Sequence, residues 1–320
     1  MSKHGVVEID IFYLSYDEAK KEQFWADLLY KCPWAKRVDG VKGFDNAHKA
    51  CAEASSTPHF ITVDGDNIVD PKFFDDQLAI DELTDASTVY SFSAKNMVNG
   101  LIYGNGGIKV WPRQLVLDMR THENAESEKS AIEFCWDINY QQMNNCYSEV
   151  WPNGTALQAF RSGYREGVKM SLAEGYTVDV DNFEQALFKK NLQRLLIWST
   201  VGKDVEFGDW AIYGARLGCV NTNLERHPTD VVRDYDWFNS FWDAEVFGKF
   251  AKPHGAYDKD LLEAESVKLG DRLRKELSLD VTEFNADQSK FFKKVFVNPL
   301  RTHPNVTERT MQNAIPKEFQ

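Results

Sequence analysis

Three strand-forming runs alternate with two helix-forming stretches over residues 6–67, and the third run ends in a pair of carboxylates. Val6-Val7-Glu8-Ile9-Asp10-Ile11-Phe12-Tyr13-Leu14 alternates and is rich in β-formers, which predicts a first strand. Ser15-Tyr16-Asp17-Glu18 supplies cap-type residues before a helix over about 19–30. Residues 35–38 form a short second strand, and Gly43 opens a helix of small residues running to Ala54. That helix leads into Phe60-Ile61-Thr62-Val63, which ends in Asp64-Gly65-Asp66-Asn67. The alternation is βαβ-like and places the chain in the α/β class.

Two acids one residue apart at a strand's carboxyl end put hard oxygen ligands at the edge where α/β sheets hold their ligands. Magnesium and manganese favour such donors, and a cation there can bridge a diphosphate and neutralise its charge as it leaves. An Asp-rich turn is the plain alternative, since Asp and Gly are ordinary turn residues.

A chain of 320 residues can build one large or two modest domains, and its 13% aromatic content, with nine Trp, suits both a large core and sugar or base recognition. The formal charge of −12 argues against a broad nucleic-acid-binding face while leaving room for a local basic groove. No apolar stretch reaches membrane-span length, and Met1-Ser2-Lys3-His4 leads straight into a strand without a signal peptide, so a cytoplasmic location is expected. The five Cys, at 32, 51, 135, 146 and 219, are scattered, which indicates neither a zinc site nor a disulfide framework.

Further along, residues 88–96 predict a strand, and Tyr103 to Pro112 a Gly-rich turn feeding an alternating strand, or a tight hairpin. Thr121 to Ser130 is polar and reads as a mobile loop. Arg161, Arg165 and Lys169 recur every four residues, either as a phosphate- or nucleic-acid-contacting stripe or as a solvated helix face. Residues 194–202 read as helix or buried strand, Phe207 to Cys219 as a glycine-punctuated strand, and Asp258 to Leu277 as a helix followed by a polar segment with Pro299, Pro304 and Pro316.

The small-residue helix before an apolar strand ending in Asp-x-Asp resembles the nucleotide-binding half of GT-A-fold nucleotide-sugar glycosyltransferases. With Gly104-Asn105-Gly106-Gly107-Ile108-Lys109-Val110-Trp111-Pro112, Gln158-Ala159-Phe160-Arg161 and Gly214-Ala215-Arg216-Leu217-Gly218, the whole pattern resembles glycosyltransferases encoded by tailed bacteriophages. Some of that group attach arabinose or glucose to 5-hydroxymethylcytosine in the phage's own DNA.

The resemblance implies an α/β, GT-A-like Rossmann-type mixed sheet flanked by helices. Residues 1–257 would form the transferase domain (1–100 the nucleotide-binding half, 101–257 the acceptor half) and 258–320 a helical C-terminal extension. It implies a UDP-sugar donor, Mn2+ or Mg2+, and a modified base in double-stranded DNA as acceptor.

Asp64 and Asp66 would hold the metal and carry catalysis, with Asp137 as an acceptor-side acid and His254, preferred over His227, as a third ligand. Leu14, Ser15, Tyr16 and Asp17 would meet the uracil and ribose. Lys42, Asn46 and Gly65 would meet the donor, and Asn105, Gly106, Gly107 and Lys109 its sugar.

Other readings stay open: a glycan or protein acceptor, a non-catalytic sugar- or nucleic-acid-binding module, or a phosphatase of the haloacid-dehalogenase type with Asp64 as nucleophile. The last places its acids after the first strand, whereas two strands and two helices come first here, and Asn67-Ile68 follows.

Overall fold

A computed structural model describes residues 4–75, 77–78, 86–104, 107–127, 134–136 and 138–296. The chain divides into two compact units, one of residues 1–151 with 295–320, the other of residues 152–294. The division thus falls at Trp151, whereas the sequence pattern placed it after Tyr257.

The first unit is α/β. Its main sheet contains β1 (Asp10–Ser15), β2 (Lys36–Asp39), β3 (His59–Asp64), β4 (Asn67–Val69), β5 (Thr88–Asn96), β6 (Ile102–Tyr103), β7 (Ile108–Pro112) and β8 (Asn139–Val150). The strand order is β2-β1-β3-β7-β5-β8-β4, with β6 on β5. β1 lies parallel to β2 and β3, β7 runs antiparallel to β3 and β5, and β8 is parallel to β5, so the sheet is mixed.

Helices cover both faces. α1 (Lys21–Lys31) buries Phe24 and Leu28 against Ile11, Tyr13, Ile61 and Val63. On the other side Phe12, Phe60 and Trp111 pack with Cys51 and Ala52 of α2 (Phe44–Ala54) and Val116 of α3 (Arg113–Asp118). Both faces of these strands are covered, so every residue of β7 is buried, Lys109 included, as are His59 to Val63 of β3.

The first strand starts at Asp10, not at Val6, because Val6–Glu8 turns as a short 3-10 helix. Thr121 and His122, expected in a mobile loop, are buried at 2% and 6% exposure, and the Glu123 carboxylate accepts from the Asn46 N–H at 2.9 Å.

The second unit is mainly helical: α4 (Ala156–Met170), α5 (Lys189–Trp198), α6 (Gly208–Asn223), α7 (Tyr235–Phe241), α8 (Lys259–Leu277) and α9 (Ala286–Val295), the last ending one residue past this unit. The glycine-punctuated strand expected over 207–219 is α6. Its glycines serve a helix crossing: a Cβ on Gly214 or Gly218 would meet the carbonyl O of Phe160 at 2.3 Å or of Tyr164 at 2.4 Å. Reciprocally, a Cβ on Gly163 or Gly167 of α4 would meet Ala211 O at 1.9 Å or Ala215 O at 2.1 Å.

Arg216, 1% exposed, is satisfied by Ser199 O, Ser266 O and both carboxylate oxygens of Glu283. The helix expected over 258–277 forms with Asp258 as its cap, and α9 adds a helix where only a polar segment was expected. Among the described residues no helix is long and apolar enough to cross a membrane.

Candidate active site at the carboxyl ends of the first and third strands

Parallel pairing sets Leu14 of β1 beside Asp64 of β3, so the turn after each strand opens at the same edge. The Asp64–Asn67 turn is pinned from three directions. The Tyr13 hydroxyl donates to Gly65 O at 2.7 Å, Trp151 N–H donates to Asp66 O at 2.8 Å, and Gly107 N–H donates to Asp64 Oδ2 at 3.1 Å. Gly107 has φ +93°, which favours glycine, and a Cβ there would stand 2.7 Å from Ser148 Oγ and 3.2 Å from Asn67 Oδ1. Those two oxygens are themselves buried without a hydrogen-bond partner.

Lys109, 6% exposed on β7, brings its ammonium to 3.6 Å from Asp64 Oδ2. A third acid joins the pair: Glu18 accepts from Tyr16 N–H at 2.7 Å, and its carboxylate stands 2.7 Å from where a Cβ on Gly65 would lie. Burial pushes Asp66 up to about 7, with the charges of Asp64 and Glu18 adding to the rise. Burial also raises Glu18, opposed by backbone hydrogen bonds and reinforced by Asp17 and Asp64. Buried acids set close together are a setting in which a cation would favour the charged forms.

Asp64 Oδ2 is taken by Gly107 N–H and Asp66 Oδ1 by the Asn67 side-chain amide at 2.8 Å. Among the described residues no group of three or more His, Cys, Asp or Glu side chains is placed to hold a metal. The pair nonetheless fits Mg2+ or Mn2+, because such ions are commonly bound by one or two carboxylates together with substrate phosphates and water.

Of the other residues singled out in the sequence, Ser15 is buried at 4% exposure, donating to Asp39 at 2.7 Å and accepting from Arg37 Nε at 3.1 Å. Tyr16 O accepts from Lys21 Nζ at 2.7 Å, and Asp17 is exposed. Asn46 and Lys42 lie at the start of α2, where the Asn46 side chain donates to Lys42 O and accepts from Asn124. The Glu123 carboxylate already occupies the anion-favouring first turn of that helix. Asn105, Gly106 and Asp137 fall outside the described residues.

His254, Arg161, Arg165 and Lys169 belong to the second unit. His254 is exposed in a short turn at φ +62°. The basic residues do not form an open stripe, because Arg161 is 6% exposed beneath the Tyr235 ring at 4.1 Å and Lys169 pairs with Glu166 at 2.9 Å.

His48, on α2, went unremarked in the sequence. It is 2% exposed, its Nδ1 lies 2.8 Å from Phe44 O, and its Nε2 has no partner. Burial pushes its pKa down to about 4 despite the nearby charge of Asp64, so it is neutral at pH 7. Glu18 carried a local signal, an acid just past a strand's end, whereas His48 is brought near Asp64 only by helix–sheet packing.

Comparisons with family models, with curated proteins and with solved structures return no match.

Proposed function

We propose that the chain is a glycosyltransferase that moves a sugar from a UDP-sugar to a hydroxyl acceptor at the edge carrying Asp64 and Asp66. One observation carries the proposal: the two acids end a central strand with a buried ammonium 3.6 Å from the first of them. Opposite charges held on rigid strands suit a substrate that is itself a diphosphate with its cation.

A divalent ion held by Asp64 and Asp66 would supply Lewis-acid neutralisation of the diphosphate. The rest falls to the chain. Lys109, itself buried, would offer a fixed, preorganised positive charge. The turn after β1, Leu14 to Asp17, would meet the nucleoside. In the transfer, the bond from the anomeric carbon to the diphosphate oxygen breaks and the acceptor oxygen bonds that carbon. The hydroxyl proton leaves to solvent or a base, and UDP departs.

The GT-A reading of the mixed sheet belongs to this proposal, as does 5-hydroxymethylcytosine as acceptor. The engaged Arg161 and Lys169 lend the DNA acceptor no support, so it rests on the sequence resemblance.

The test is a panel of UDP-sugars incubated with the chain and hydroxymethylated DNA, with and without manganese, read by product mass and released UDP. Asp64→Asn and Asp66→Asn should each abolish turnover in folded protein. Undiminished transfer in EDTA would reject the proposed chemistry.

A further inference from the structure

The second unit contains a cavity of about 450 Å³ whose walls include Phe207, Trp242, Phe247 and Tyr257, with Thr155 and Lys259 at its margin. That volume lies in the range that holds a small organic ligand. The rings form a connected set: Trp242 and Phe247 stack at 5.2 Å and 25°, and buried Trp210 lies 4.8 Å from Trp242 and 5.1 Å from Tyr257. Phe207 reaches the cavity from a left-handed backbone, φ +56°, a conformation costly for an aromatic residue and so one that the surroundings must enforce.

Of the lining residues, Lys259 carries a charge, and it is positive. Lys259, exposed at the start of α8, holds its ammonium 5.8 Å from the Tyr257 ring. Ala156 and Leu157 of α4's first turn also line the cavity, and first-turn amides have no partner inside their own helix. Thr155 Oγ1 caps the later Gln158 N–H and leaves those two amides to an incoming anion.

Three carboxylates adjoin the cavity, and the charges of Asp209 and Glu206 act on the Tyr257 hydroxyl. Asp258 caps α8 and meets Lys252 at 3.0 Å, and Asp209 accepts from the Tyr257 hydroxyl at 3.0 Å. No carboxylate is among the lining residues.

Flat aromatic walls beside one ammonium and the amino end of a 15-residue helix suit a planar ring bearing an anionic group. We infer that this cavity is a second binding site, separate from the Asp64–Asp66 edge, for a mononucleotide: the ring stacks on the aromatic wall and the phosphate meets Lys259 and the first turn of α4. The inference does not rest on the transferase proposal, since no residue of that edge takes part.

The full chain, in EDTA, is titrated with AMP, CMP, adenosine and inorganic phosphate, followed by calorimetry and tryptophan fluorescence. AMP and CMP should bind, adenosine about tenfold more weakly, and phosphate alone not at all. Lys259→Ala should weaken AMP about tenfold and leave adenosine unchanged, and Phe247→Ala should weaken both about tenfold. Lys72→Ala, exposed in the other unit and part of neither site, should change neither, and thermal melts confirm that each variant is folded. No mononucleotide binding at millimolar concentration, binding indifferent to Lys259→Ala and Phe247→Ala, or phosphate binding as tightly as AMP overturns the inference. Each of those results leaves the Asp64–Asp66 proposal standing.

Discussion

Asp10, at the start of β1, shows how one carboxylate ties the sheet's stability to pH. Burial works to raise its pKa, but the Lys36 ammonium at 2.6 Å and the N–H and hydroxyl of Ser56 outweigh it and hold the group at about 2, against an ordinary 3.8. The folded value lies below the unfolded one, so the contribution is complete above pH 4 and is lost as pH falls from about 4 to 2. With solvent screening of the exposed Lys36 side, that is about 1 kcal/mol at neutral pH. Asp10→Asn should therefore lower the melting temperature at pH 7 by several degrees and flatten the acid limb between pH 4 and 2, as read from thermal melts. An unchanged acid limb would remove Asp10 from the account.

Lys109 makes a prediction of the catalytic kind. If its ammonium steadies the departing diphosphate, Lys109→Met should cut the kcat/KM for UDP release about a hundredfold in folded protein. A variant retaining full turnover would show that the charge serves packing alone.

At the scale of elements, the α4–α6 crossing sets helix propensity against space. Gly163→Ala should gain about 1 kcal/mol of propensity. Its new methyl, however, lies 1.9 Å from Ala211 O, a backbone atom that cannot turn aside. Overpacking of that kind costs about 1–3 kcal/mol, and more where a backbone must move. The net expectation in urea melts is a loss of about 1–2 kcal/mol. Gly248→Ala is the control, since its methyl would find only Asp243 O at 3.6 Å, and stability should hold or rise slightly. Equal losses at both positions would refute the close crossing.

This crossing also shows what the sequence did and did not disclose. The alternation of residues 6–67 was legible because strand and helix periods are local, and it located β1, α1, β2, α2 and β3 to within a few residues. Gly163/Gly167 and Gly214/Gly218, each pair four residues apart, carried the signal of helix faces in close contact, yet glycines between apolar residues also suit a strand. Asp64, Gly107 and Lys109 were nameable from spacing. Glu123 over the start of α2 was not, because its partner Asn46 lies 77 positions away and only folding brings them together.

For the whole molecule, the division at Trp151 has an experimental reading. Residues 152–294 enclose their own core of Phe183, Leu195, Cys219, Leu273 and Leu277. Expressed alone, that fragment should unfold in one cooperative thermal transition that manganese does not shift. The full chain should gain about 2.7 kcal/mol with ligand at a hundred times its Kd. A fragment with no cooperative transition would mean that the second unit cannot stand apart.

The same division orders events at the ribosome. All eight strands of the main sheet, and the turn bearing both acids, precede residue 152 in the chain. Synthesis therefore delivers all eight strands of the main sheet before it begins α4, and the nascent sheet can set its register before the aromatic helices emerge.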